Sequence, residues 1–156
     1  MAHEIERKFL LANDGWRKGS QGRYLCQSYF CVQPGCTVRV RIDGDAAFLT
    51  LKGRSKGPER LEFEYSVPLE DAKAMLAAFA LSPPVEKTRY EVSFGGFVWE
   101  IDEFHGANAG LIVAEIELAA ADQDFARPDW LGKEVTDDAR YYNACLSELP
   151  YSQWEK

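Results

Sequence analysis

The sequence lacks several features that mark well-defined classes of protein. It contains neither a positively charged leader followed by an apolar run nor an apolar segment of about 18 residues or more, so we expect no signal peptide and no membrane partner. The four cysteines show none of the CxxC-type spacing of zinc and redox sites: Cys26, Cys31, Cys36 and Cys145. We therefore expect reduced structural thiols and a cytoplasmic location.

Basic residues are also scarce. The chain has 18 Lys and Arg against 25 Asp and Glu, which gives a formal net charge of -7. Proteins that bind nucleic acid generally present a broad basic surface, so we expect no nucleic-acid partner. An anionic ligand would need a local concentration of Lys and Arg. The two histidines, His3 and His105, are isolated, and we assign no role to them.

Alternation of charged and apolar residues predicts one β-rich domain over residues 1–156, with 46% hydrophobic residues for its core. The predicted strands cover residues 4–10, 24–32, 37–42, 47–53, 61–67, 85–94, 97–104 and 111–118. Apolar residues at helical spacing predict helices over residues 69–81 and 137–149, the second of them capped by Thr136. Gly44 lies in a strong hairpin signal between two of the strands.

Seven of these strands place their charged residues on a single face, because alternate side chains of a strand point the same way. The set contains six cations and eight anions: Lys8, Arg39, Arg41, Lys52, Lys87, Arg89, Glu4, Glu6, Glu62, Glu64, Glu100, Asp102, Glu115 and Glu117.

Two interpretations fit this pattern. In an ordinary antiparallel sheet the charged face is solvated and residues such as Val38 and Ile101 form the core. In the alternative, the charges line the inside of a barrel. The like-sign pairs at i, i+2 favour the second interpretation, since a merely soluble surface mixes signs. Buried charges need partners, and a polyanion for the cations with a hard divalent metal for the carboxylates would supply them.

The N-terminal segment Glu4-Ile5-Glu6-Arg7-Lys8 resembles the ExExK signature of the CYTH superfamily, the triphosphate tunnel metalloenzymes, and the chain is most similar to their short bacterial members. The resemblance continues in order through residues 37–41 (TVRVR), 49–52 (LTLK), 62–64 (EFE), 87–89 (KTR), 99–102 (WEID), 114–118 (AEIEL), 132–136 (GKEVT) and 140–143 (RYYN). It therefore covers essentially the whole chain.

The resemblance implies a mainly β (α+β) fold: a closed eight-stranded antiparallel β-barrel tunnel with a charged lumen and flanking helices, including a C-terminal helix. It implies Mg²⁺ or Mn²⁺ as the cofactor, held by Glu4, Glu6 and Glu117 with Glu115 beside them. It implies that the triphosphate is gripped by Lys8, Arg39, Arg41, Lys52, Lys87 and Arg89. The other acidic residues expected to line the tunnel are Glu62, Glu64, Glu100 and Asp102.

These residue types suit phosphoryl transfer, in which positioning and charge neutralisation dominate. Arg binds phosphate bidentately, and Lys acts as a point charge. We expect neighbouring cations to lower the pKa of Lys87 and to leave part of it neutral as a general base. Tyr29, on a strand expected to border the tunnel, would orient Lys87 or the attacking water. The alternative is that Lys87 only binds phosphate and Tyr29 only packs.

The tunnel residues specify a triphosphate and leave open what is attached to it. The resemblance favours metal-dependent hydrolysis of inorganic tripolyphosphate to pyrophosphate and phosphate, because the chain is short. A class IV-type adenylyl cyclase, a thiamine triphosphatase and a non-catalytic module that binds polyphosphate or nucleotides are the alternatives. A small-molecule triphosphate is thus the expected partner, and apolar outer strand faces are compatible with a homodimer.

Overall fold

The computed structural model describes residues 3–54 and 56–155. Its nine strands are β1 (His3–Leu11), β2 (Gly22–Gln33), β3 (Cys36–Asp43), β4 (Ala46–Lys52), β5 (Glu59–Ser66), β6 (Val85–Phe94), β7 (Phe97–Phe104), β8 (Ile112–Glu117) and β9 (Leu131–Glu134). Two α-helices accompany them, α1 (Leu69–Phe79) and α2 (Asn143–Glu148). Short 3₁₀ turns cover Gly15–Arg17, Gly106–Asn108, Ala139–Tyr141 and Tyr151–Gln153.

The first eight strands form a closed antiparallel ring, which confirms the predicted fold. The strand order is β5-β4-β3-β2-β6-β7-β8-β1, and β1 pairs back onto β5 to close it. In residues 3–54 and 56–155 the ring closes through three residue pairs, from His3 opposite Leu61 to Ile5 opposite Glu59. The short strand β9 then continues along β1 where β5 ends, pairing with Phe9 and Leu11.

The ring is inverted relative to an ordinary sheet domain, because its apolar residues cluster on the outside. One cluster gathers Phe9, Trp16, Trp99, Ile101, Ala114, Ile116, Leu118 and Trp130. A second contains Leu146 of α2 packed on Val85 and Phe104, and a third contains Ala72 of α1 packed on Val40 and Ala47. The helices and loops thus cover the outer faces, and the inner face is left to the charged residues.

The sequence did not predict strand β9. Its Gly132 explains how the strand approaches β1: a β-carbon at that position would lie 2.9 Å from the Leu10 carbonyl oxygen. Only glycine permits such close contact between the two backbones. A strand of only four residues is too short to show the alternation of apolar and polar residues by which the other strands were predicted.

The predicted C-terminal helix over residues 137–149 is wrong in its first half. The chain instead forms a 3₁₀ turn, then an extended residue at Tyr142, and only then α2. The Asp138 side chain accepts a hydrogen bond from the Arg140 backbone N–H at 3.1 Å, which is the local competition that Asp offers to helices. Thr136 caps no helix, because its hydroxyl oxygen accepts from the Lys8 backbone N–H at 3.0 Å.

The first helix also ends earlier than expected, at Phe79, where Ala80 turns to an extended conformation. No helix in residues 3–54 and 56–155 is both long and apolar enough to cross a membrane. On the outer face of β5, three large apolar side chains are exposed: Leu61, Phe63 and Tyr65. The expectation of a homodimer remains a prediction that rests on this row.

Candidate active site

A cavity of about 610 Å³ runs inside the ring. Its walls contain fourteen of the fifteen predicted site residues: Glu4, Glu6, Lys8, Tyr29, Arg39, Arg41, Lys52, Glu62, Glu64, Lys87, Arg89, Glu100, Glu115 and Glu117. All six predicted phosphate-binding cations are among them. The single exception among the predicted residues is Asp102.

Asp102 was expected to line the tunnel, and the structure places it against two of the tunnel cations. Its side chain is 1% exposed and lies behind two of the cations. It accepts from Arg89 Nε at 2.8 Å and from Arg89 Nη2 at 2.9 Å, and its Oδ2 lies 2.7 Å from Lys87 Nζ. A carboxylate shared by two buried cations compensates part of their charge and satisfies their N–H donors.

Lys87 is the most deeply buried of the cations, with no exposed surface. Burial lowers the pKa of its ammonium to about 7; Asp102 opposes this effect, while Arg89 and Arg41 strengthen it. The predicted direction is therefore confirmed, with burial as the larger cause. The charge of Glu115 also opposes the effect, but burial and the two guanidinium groups outweigh both carboxylates.

Arg41 is a cation that lacks a carboxylate. Within the described chain its only side-chain partner is the amide oxygen of Gln27, which accepts from Arg41 Nε at 2.8 Å. Burial lowers the pKa of Arg41 to about 9, and the nearby Arg39 and Arg89 add to the effect. The guanidinium stays protonated at neutral pH, so this wall of the cavity carries an uncompensated positive charge.

Arg39 likewise has a hydrogen-bond donor without an acceptor in the described part of the protein. Its Nη2 donates to the Thr50 hydroxyl at 3.1 Å and lies 3.7 Å from Glu64 Oε2. Its buried Nε has no hydrogen-bond partner in the part of the chain that the structure describes. A buried donor without a partner is costly, and an anion in the cavity would supply an acceptor.

The lysines nearer to β1 are already paired with carboxylates. Lys8 Nζ lies 2.5 Å from Glu115 Oε1 and 3.2 Å from Glu6 Oε1. Burial lowers the pKa of Lys8, but the two carboxylates outweigh burial and raise it above its ordinary value. Lys8 therefore remains charged throughout the physiological pH range.

Lys52 stands between two acidic strands. Its Nζ lies 3.1 Å from Glu4 Oε1 and 3.2 Å from Glu62 Oε2. Burial lowers the pKa of Lys52, and the carboxylates of Glu6 and Glu4 oppose this effect. The ammonium of Lys52, on β4, thus links a carboxylate of β1 to one of β5, the two strands that close the ring.

The four carboxylates predicted to hold a metal lie together on β1 and β8, where Glu6 is opposite Glu117 and Lys8 is opposite Glu115. Burial raises the pKa of Glu117, and the charges of Glu4 and Glu6 raise it further. In residues 3–54 and 56–155, no three acidic, histidine or cysteine side chains form a ready ligand set. The oxygen donors nevertheless suit a hard divalent cation, which would relieve this repulsion.

Tyr29 lies in the wall, and the structure describes no hydrogen bond between it and Lys87. Gln27 and Asn143 separate them: Gln27 Nε2 donates to the Tyr29 hydroxyl oxygen and to Asn143 Oδ1, each at 3.2 Å. Lys87 Nζ donates to the same Asn143 Oδ1 at 2.9 Å. Sequence reasoning missed both amides, although Gln27 shares the face of Tyr29 two residues away and Asn143 ends the RYYN segment.

The cavity wall contains further residues that were not predicted to belong to the site. Arg54 lies in the loop after β4, Arg60 lies in β5, and Asn143, Ala144 and Cys145 come from α2. The backbone carbonyl of residue 53 holds Arg60 by accepting from its Nε at 3.0 Å. The C-terminal helix therefore forms part of the cavity wall.

Comparison with known proteins agrees with this geometry. The model of the CYTH domain family matches residues 2–143. An inorganic triphosphatase of Acetivibrio thermocellus is 42% identical over 156 residues, which is 100% of both chains. An inorganic triphosphatase of Nitrosomonas europaea is 34% identical over 149 residues, covering 92% of this chain and 96% of the relative.

Solved structures point the same way. The crystal structure of an inorganic triphosphatase matches with a TM-score of 0.64 and 34% identity, covering 92% of this chain and 96% of that chain. A closed ring of charged strands, a cavity with six convergent cations and full-length relatives lead to one conclusion. The chain belongs to the CYTH domain family.

Proposed function

We propose that the protein hydrolyses inorganic tripolyphosphate to pyrophosphate and phosphate inside the cavity. The observation that carries this proposal is the convergence of six cations on one cavity. Two of these cations, Arg39 and Arg41, have N–H donors that the described protein leaves without an acceptor. A linear polyanion would satisfy them. The names of the two full-length relatives support the choice of inorganic triphosphate.

The two kinds of cation would bind the substrate in different ways. Guanidinium groups bind phosphate through paired N–H donors, and ammonium groups act as compact charges. Arg39, Arg41 and Arg89 lie on β3 and β6, whereas Lys8 and Lys52 lie on β1 and β4. The substrate would then span the cavity between these strands, and its binding would compensate the positive charge of the walls.

The proposal includes Mg²⁺ or Mn²⁺ as the cofactor. Glu4, Glu6 and Glu117 would hold the ion, with Glu115 beside them, because they bring oxygen donors together on β1 and β8. A bound divalent ion would neutralise charge that develops on the phosphate oxygens. Lys8 and Lys52 would then be freed from Glu6 and Glu4 to contact the substrate.

Lys87 is proposed as the general base. Near pH 7 part of its amine is neutral, so it can accept a proton from a water molecule as the water oxygen attacks phosphorus. The bond between phosphorus and the bridging oxygen breaks, and pyrophosphate leaves with the electron pair of that bond. Tyr29 is proposed to orient the water or a phosphate oxygen, since its hydroxyl lies in the cavity wall.

We also propose that the protein is cytoplasmic and that its partner is a small-molecule triphosphate. The four cysteines are free thiols in the structure, in keeping with a reducing compartment. A second copy of the chain is retained as a partner for the exposed row on β5.

The decisive experiment compares phosphate release from tripolyphosphate, ATP and thiamine triphosphate, with Mg²⁺ or Mn²⁺ and with a chelator. We expect metal-dependent release from tripolyphosphate that the Glu4→Ala variant abolishes. The matched control is Glu70→Ala, at an exposed position of α1, which should behave as the unmodified protein. Production of cyclic AMP and pyrophosphate from ATP would assign a cyclase, and tight binding without turnover would assign a sensor.

Arg41→Met gives a second test of the cavity. We expect KM for tripolyphosphate to rise about 10- to 100-fold, the scale of a hydrogen bond to a charged group. The free energy of unfolding of the ligand-free protein should change by no more than about 1 kcal/mol, because removing an uncompensated charge offsets the lost donor to Gln27. Steady-state kinetics and urea unfolding measure the two effects.

The control for this substitution is Arg140→Met, on the exposed surface away from the cavity. It should leave KM unchanged. A large loss of stability in Arg41→Met with an unchanged KM would contradict the proposal, since it would make Arg41 a structural residue.

A further inference from the structure

The hydrogen bonds between the phosphate-binding Arg41 and the proposed base Lys87 form a series with a fixed direction. Arg41 and Lys87 stand at its ends, and each has only N–H donors to offer while it is charged. Gln27 must therefore turn its amide oxygen toward Arg41 Nε, at 2.8 Å. Asn143 must likewise turn its oxygen toward Lys87 Nζ, at 2.9 Å. The orientation of both amides follows from the residues at the ends.

The direction of this series of hydrogen bonds determines which acceptors the N–H groups of Gln27 reach. With its oxygen on Arg41, Gln27 has two N–H groups left, and they go to Asn143 Oδ1 and to the Tyr29 hydroxyl oxygen. Tyr29 therefore keeps its own hydrogen, and it has no acceptor for that hydrogen in the described part of the chain. Because Tyr29 lines the cavity, the free hydrogen is available to a phosphate oxygen or to water.

The position of Asn143 gives it control over Lys87. It is the first residue of α2, directly after the extended Tyr142, whose hydroxyl donates to the Thr136 carbonyl at 2.9 Å. Asn143 and Lys87 both line the cavity, although the side chain of Lys87 has no exposed surface. The amide thus holds the Lys87 amine at the cavity wall, and within residues 3–54 and 56–155 it is the one neutral acceptor that the amine has.

We propose that Asn143 and Gln27 are positioning residues, which orient the amine of Lys87 and the hydroxyl of Tyr29 and link both to the phosphate-binding Arg41. The inference rests on the proposed function. In this arrangement, a substrate that shifts the position of Arg41 also shifts Gln27, and the hydrogen bonds transmit the shift to Asn143 and Lys87. The C-terminal helix belongs to the catalytic apparatus because it carries Asn143.

The first test is Asn143→Asp, which keeps the size and the acceptor and adds a negative charge. An opposite charge in contact with an ammonium raises its pKa by about 1–3 units. Less of Lys87 is then neutral at pH 7, so kcat should fall there and recover as pH rises. The pH at which kcat reaches half its plateau should move up by about 1–3 units, while KM changes little.

The groups that face Lys87 set the reference for this shift. They are Asp102 on β7, Arg89 on β6, Arg41 on β3 and Glu115 on β8. None of them changes in the variant, so the shift reports the residue at position 143. The matched control is Asn13→Asp, an exposed loop amide, which should leave the pH profile unchanged.

Gln27→Glu provides a second variant with a different signature. Its carboxylate still accepts from Arg41 but compensates that charge, and it has no N–H groups for Tyr29 or Asn143. We expect KM to rise about 10-fold, the scale of one hydrogen bond to a charged group, together with a fall in kcat. Asn143→Asp thus tests the contact with Lys87 through kcat, and Gln27→Glu tests the contact with Arg41 through KM as well as kcat.

A pH titration of the Lys87 side chain followed by carbon NMR tests the contact between Lys87 and Asn143 without any need for turnover. The Lys87 signal is assigned by its absence from the spectrum of Lys87→Met. An upward shift in Asn143→Asp supports the inference, and an unshifted titration overturns it. If the unmodified protein releases no phosphate from any triphosphate, the proposed function fails, while this titration still decides whether Asn143 controls the protonation of Lys87.

Discussion

Replacing Asp102 with alanine is expected to destabilise the protein by about 3–5 kcal/mol, the cost of removing one partner from a buried ion pair. The carboxylate lies 2.7 Å from Lys87 Nζ and accepts two hydrogen bonds from Arg89. These two cations hold the pKa of Asp102 far below its ordinary value. Without the carboxylate, three neighbouring cations would repel one another in a space that water barely enters.

Urea unfolding measures this effect, with Asp138→Ala as the control. Asp138 also pairs with an arginine, at 2.7 Å, but on the surface, where such pairs contribute little. Tripolyphosphate should stabilise Asp102→Ala more than it stabilises the unmodified protein, because an anion replaces part of the missing charge. Equal stability of the two proteins in the absence of ligand would contradict the role assigned to Asp102.

Replacing Lys87 with methionine is expected to lower kcat about 10²- to 10⁴-fold, the usual contribution of a general base. Methionine fills the buried volume without a proton-accepting nitrogen. In the unmodified protein the pKa of Lys87 is lowered to about 7 from 10.5 in the unfolded chain. The amine therefore gains its neutral form as pH rises through about 7, and kcat should rise over the same interval and level off above it.

In Lys87→Met this rise should disappear from the pH profile along with most of the activity. Single-turnover kinetics across the pH range measure both effects. The control is Lys73→Met on the exposed face of α1, which should retain the full profile. If Lys87→Met turns over normally and only KM rises, Lys87 binds phosphate and another group accepts the proton.

The sequence predicted the inner face of the ring well because the evidence is local. A period of two assigns each charge to a face without knowledge of which strands pair. The cavity accordingly contains all six cations and seven of the eight anions that this period selected. The apolar residues on the opposite face likewise became the outer clusters around Trp99 and Val40.

What the sequence could not supply depends on partners that lie far apart in the chain. The pairing of Asp102 with Arg89 follows from their register across β7 and β6, and no pattern within β7 signals it. The roles of Gln27 and Asn143 arise from contact between residues 116 positions apart. The shortened helix depends on one side-chain hydrogen bond at Asp138, which competes with a pattern that is otherwise helical.

The closure of the ring makes the barrel mechanically uneven. Among the residues that the structure describes, three pairs join β1 to β5, whereas five join β1 to β8 and seven join β3 to β4. Lys8 lies on one side of this short joint and Lys52 on the other. A polyanion that both lysines hold would act as a cross-brace over the joint, so the substrate would stiffen the barrel that encloses it.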